Sequence, residues 1–136
     1  LALGRPLEVD RGLRMLAWLL ALETRDGHLS VTGVGGRDIH DRAKQFDQQP
    51  IEVAAMADAC WRAHMITGDA SWVHGVTAAA AWFHGDNDSG ATMMDKVSHG
   101  GYDGLHPGGP NLNEGAESTL ALIATMQRAE MFATAP

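Results

Sequence analysis

Acidic side chains crowd the point where a glycine-rich loop runs into an apolar helix. Between Ser98 and Thr119 the chain reads SHGGYDGLHPGGPNLNEGAEST, and Asp103, Glu114 and Glu117 bracket the change from loop to helix. Carboxyls held there can give and take protons, and the flanking glycines let a substrate approach the backbone closely. Asp103 and Glu114 are therefore the first candidates for catalysis. Asp47 is the third, in a second polar stretch, FDQQPIE. Structural duties compete for the same residues. Asn111-x-x-Glu114 also reads as a capping-box variant, Asp103 as a turn cap, and Glu52 and Glu117 as acids that complement helix dipoles. His99, Asp103 and His106 share one loop but fit no zinc-binding spacing, so no metal is expected. No GxGxxG, GxxxxGK[ST] or GxSxG occurs, which leaves nucleotide cofactors and a serine nucleophile without support.

Helices must hold these loops. The pattern is helical from Pro6 to about Thr24, where Leu13, Leu16 and Leu20 form one face and Trp18, Leu19 and Leu22 a second. A helix apolar on two faces is expected to pack between neighbours. The following DGHLSVTGVGG predicts one short extended arm over His28 to Val34. Pro50 suits the first position of a helix to about Thr67, and Glu52 falls in its first turn. Gly68 reads as a C-terminal cap and Asp69 as the next N-cap, so a third helix from Ala70 to about His84 must fold back on the second. Its stripe is Trp72, Val76, Ala79 and Phe83. A fourth helix is expected from about Asn113 to Met131. The tight turn opens the third helix, whereas long loops open the second and fourth. If those two are neighbours, Phe46 to Glu52 and Asp103 to Glu117 share one rim.

Composition narrows the partners. The chain has 136 residues, 45% of them hydrophobic, and a net charge of −7. It is read as one domain, 1–136. That charge speaks against nucleic acid or an anionic membrane surface, which need clustered Lys and Arg. The longest strongly apolar run, Met15 to Leu22, is too short to span a bilayer and follows no basic leader, so a cytoplasmic location is expected. The single cysteine, Cys60, sits in an apolar helical run and reads as a buried, inert thiol. The chain opens mid-pattern without Met, which suggests a piece of a longer protein.

Three segments in order, FDQQPIEVAAMADACWRAHMITGD, AWFHGDND and GGYDGLHPGGPNLNEGAESTLALI, resemble the closing part of an (α/α)6 toroid of the six-hairpin glycosidase-like type. More narrowly, they are similar to the helical domain found C-terminal to nucleotide-sugar-dependent glycosyltransferases in some bacterial proteins. The likeness runs from about Arg37 to Gln127. It implies an all-α fold of antiparallel hairpins in two layers, of which four helices make roughly a third of a toroid, with carbohydrate bound where the loops enter the inner helices. Glycoside cleavage uses one acid to protonate the leaving oxygen and a second to activate water or attack. Under that reading Asp103, Glu114 and Asp47 are catalytic. Gln49, Glu52, Tyr102, His106, Asn111, Asn113 and Glu117 hold the sugar, and Tyr102, Trp72 or Trp82 could stack on its ring. An epimerase or lyase using the same carboxylates is the lesser enzymatic alternative. The other class of reading is a non-catalytic module that binds glycan or scaffolds a glycosyltransferase. Self-association, or contact with a missing toroid or glycosyltransferase portion, is expected of helices this apolar.

Overall fold

The computed structural model describes residues 6–133. In chain order they form α1 (Pro6–Glu23), β1 (Thr24–Arg25), β2 (His28–Leu29), α2 (Pro50–Thr67), α3 (Ser71–Phe83), β3 (Gly104–His106), β4 (Gly109–Asn111) and α4 (Ala116–Ala133). The four helices dominate, with two small antiparallel sheets of two strands each.

Local chemistry explains most boundaries. Pro50 occupies the first turn of α2, where its missing N–H costs nothing. Gly68 ends that helix in the left-handed region at φ 69°, and its N–H donates to His64 O. Asp69 does not become the N-cap itself, since Ala70 holds that place. Its carboxylate instead accepts the Ser71 N–H at 2.8 Å, which turns the chain into α3. The expected arm over His28 to Val34 is shorter and differently built. Asp26 and Gly27 both take positive φ, giving a two-residue hairpin turn that pairs His28–Leu29 with Thr24–Arg25.

A second hairpin lies within the long glycine-rich loop, so the single extended arm becomes two hairpins. Leu105 pairs with Pro110 and His106 with Gly109. Its strands contain Gly and Pro, so no apolar alternation marks them. Helix α4 also starts later than Asn113. Gly115 O accepts the Thr119 N–H as the first helical bond, while the residues before it are occupied in holding Asp103.

The core lies among α2, α3 and α4, which touch pairwise, whereas α1 leans mainly on α2 and reaches α3 where Leu20 lies beside Gly75. Trp72, Val76, Ala79 and Phe83 are all buried, as their spacing implies. Small residues let α2 and α3 approach closely: a Cβ on Gly75 would stand 2.5 Å from Cys60 Sγ. Burial pushes the Cys60 thiol up to about 11. Across the other face of α2, Arg128 of α4 bonds Asp58 and stacks 3.8 Å over the Trp61 ring.

Helix α1 departs from expectation. Leu13, Leu16, Leu19 and Leu20 pack on the core, but Met15 and Trp18 on the opposite face are 69% and 55% exposed. Among the described residues it is covered on one side only. No described helix is long and apolar enough to cross a membrane.

Candidate functional site

Two loops meet beneath the N-terminal ends of α2 and α4. Gln48 N donates to Leu105 O at 3.0 Å and Leu105 N to Gln48 O at 2.9 Å, so the segment before α2 pairs with strand β3. This contact brings FDQQP and the glycine-rich loop onto one rim. Between them opens a cavity of about 450 Å3 lined by Asp47, Gln49, Asp103, His106, Asn111 and Glu117, with Ser118 and the backbone of residues 104 and 115–116. Among the described residues no Lys or Arg lines it.

The carboxylates in this cup differ sharply. Asp103 is tied down: Oδ1 accepts from Gly115 N at 2.7 Å and Ser118 Oγ at 2.8 Å, and Oδ2 accepts from the Asn113 amide. The Asn113 side chain, Ser118 and the Gly115 N–H together hold its pKa below the usual carboxylate range. A Cβ on Gly115 would sit 2.5 Å from Asp103 Oδ1, so glycine is required for this latch to close. Asp47 Oδ1 instead lies 2.5 Å from His106 Nδ1, an ion pair when the ring is protonated, with both side chains about 40% exposed. The Phe46–Asp47 peptide bond is cis. Glu117 projects from the first turn of α4 and has no hydrogen-bond partner among the described residues.

Several expected members lie elsewhere. Glu114 is not part of the cup wall: Ser98 Oγ donates to its Oε2 at 2.5 Å, and Gly100 packs against its carboxyl. Asn113 supports Asp103 rather than lining the cavity. Tyr102 packs on the core and donates its hydroxyl to Asp95 Oδ2 at 3.0 Å. Asp95 also accepts the Ser98 and Val97 N–H groups, and these bonds lower its pKa to about 2. Trp72 and Trp82 are buried, at 9% and 0% exposure, so neither can stack on a ligand. Glu52 faces a separate groove between α1 and α2, beside Glu23, Thr32, Leu16, Leu19 and Met56. His99, Asp103 and His106 do not gather, and no metal-poised group of His, Cys, Asp or Glu exists among the described residues.

Sequence reasoning therefore named Asp47, Gln49, Asp103, His106, Asn111 and Glu117 of the cup. It missed the Asp47–His106 contact, because the two residues are far apart in the chain and only the hairpin register joins them. It also missed Ser118, the third residue of α4, which no motif marked. The chain matches no protein-family model and no curated protein.

Proposed function

We propose that this chain is a carbohydrate-active domain whose cup, at the loop-bearing end of α2 and α4, takes saccharide units of an oligo- or polysaccharide. The observation that carries this reading is the pairing of two remote polar loops around one cavity of about 450 Å3. That size suits a small ligand, and the wall offers amide, hydroxyl and carboxylate groups suited to sugar hydroxyls. The resemblance to a six-hairpin toroid points the same way. In that reading the helices are part of a two-layer ring, and the exposed face of α1 meets further helices or a second copy.

Glycoside hydrolysis is the reaction this wall best allows, with Glu117 and Asp47 as the pair. Asp103 has its oxygens occupied, and Glu114 stands outside the cup. Glu117 has no partner among the described residues, and His106 stands beside Asp47. One carboxyl would protonate the leaving oxygen and the other would activate water or attack the anomeric carbon. The second reading, a non-catalytic binding module, is favoured by the same occupation of Asp103. A cytoplasmic location belongs to this proposal.

The test is titration of the protein with neutral gluco-, manno-, xylo- and chitin-type tetrasaccharides, followed by product analysis. Binding at the cup is expected to move backbone resonances of residues 47, 49, 104 and 117. Glu117→Gln should lower any turnover by about 10²–10⁴-fold with little change in melting temperature. Binding without turnover would leave the module. No binding to any of the four sugars would remove the carbohydrate reading.

A further inference from the structure

We infer that Asp88 is a positioning residue for the cup, acting through the buried side chain of Gln48. The motif that contains it, GDND at the end of α3, contributes nothing to the cavity wall. Yet Asp88 is buried at the centre of a polar knot. Its Oδ2 accepts from Ser30 Oγ and from Gln48 Nε2, each at 2.6 Å, and its Oδ1 contacts His28 Nε2 at 2.8 Å. Lys44 Nζ reaches the Asp88 carbonyl at 2.8 Å.

Gln48 is the link from this knot to the cup. It is 0% exposed, its Nε2 also donates to Gln45 O, and its Oε1 accepts the Trp82 indole N–H at 3.0 Å. Every polar atom of that side chain is used, and both backbone groups pair with Leu105. Gln49 is extended, at φ −103° and ψ 132°, and side chains alternate along extended backbone. Drawing Gln48 inward therefore turns Asp47 and Gln49 outward, where both line the cavity. The same pairing sets β3 alongside, which brings His106 to Asp47 and Gly104 beneath the Gln49 amide. A slip of one residue would reverse every face. Burial alone would raise the Asp88 pKa, but hydrogen bonds from Ser30, His28 and Gln48 overcome it and hold the group below its ordinary value. The knot thus keeps a charged acceptor for Gln48.

This inference rests on the carbohydrate reading for what the cup binds, but the placement can be measured without any sugar. The experiment compares NMR spectra of Asp88→Asn, Ser30→Ala and Asp58→Asn in the full chain. Asp58→Asn is the control, since it alters the α2–α4 ion pair with Arg128 and has no bond to residues 47–49. Asp88→Asn is expected to move the Asp47 carboxyl and His106 ring resonances well beyond the control, and Ser30→Ala to move them less in the same direction. Should Asp88→Asn fail to fold, Ser30→Ala decides alone. Shifts no larger than those of Asp58→Asn would overturn the inference. Affinity for whichever tetrasaccharide the wild type binds should fall about tenfold in Asp88→Asn and stay unchanged in the control. A wild type that binds no tetrasaccharide would sink the carbohydrate reading, while the resonances would still decide the placement.

Discussion

The cup and the α1–α2 groove each hold acidic side chains of similar type, and their surroundings drive them in opposite directions. In the cup, donors converge on Asp103 from Asn113, Ser118 and the Gly115 N–H and hold its pKa down. In the groove, Glu52 lies against an apolar wall beside Glu23, and desolvation followed by the Glu23 charge raises its pKa. Glu23 itself is satisfied by the Thr32 N–H and hydroxyl at 2.9 and 2.7 Å. The lesson is that donor supply decides what a carboxyl does at neutral pH. The groove's α1 wall is also covered on one side only, whereas the cup is pinned by backbone pairing.

Truncation should separate the two regions most strongly. Leu105 is fully buried under the cup, so Leu105→Ala should cost about 2–5 kcal/mol in urea denaturation. Leu16, partly buried in the groove, should cost only about 1–2 kcal/mol as Leu16→Ala. Equal losses would mean that the cup is no better anchored than the groove.

Acid titration tests the carboxyls themselves. Because the folded-state pKa of Asp103 is depressed, its contribution is present above the unfolded value and fades as pH falls from about 5 towards 2. Asp103→Asn should therefore lie below the wild type in melting temperature at pH 7 and meet it near the acid end. Parallel curves at every pH would show that the latch is not ionic. Glu52 has the reverse sign. Its raised pKa favours folding below the ordinary carboxyl range, and that contribution is lost as pH rises through the folded value. Glu52→Gln should stabilise the protein slightly at pH 7, the effect being muted by solvent screening, and leave it unchanged at pH 3. A destabilised Glu52→Gln would contradict the desolvated groove.

Much of this is legible in the sequence. Proline at the start of α2 and glycine after it bound that helix to within a residue, because both act through their own backbone. The spacing of Trp72, Val76, Ala79 and Phe83 named the buried stripe of α3, since helical period and burial are linked directly. The two polar loops, FDQQPIE and the stretch from Ser98 to Thr119, also bounded the rim acids to a short set, and most of the cup wall lies in them.

What tertiary structure alone decided was the direction and pairing of those acids. Glu114 and Glu117 share one segment, yet one bonds Ser98 and the other faces the cavity. Asp47 meets His106, and Asp88 meets Gln48, through register between segments that are remote in sequence. Local patterns carry no information on such contacts, because they depend on how the hairpin β3–β4 and the α3 terminus seat against the strand-like segment before α2. Residue types set which groups could act, and packing chose which of them remain unbonded and face the cavity.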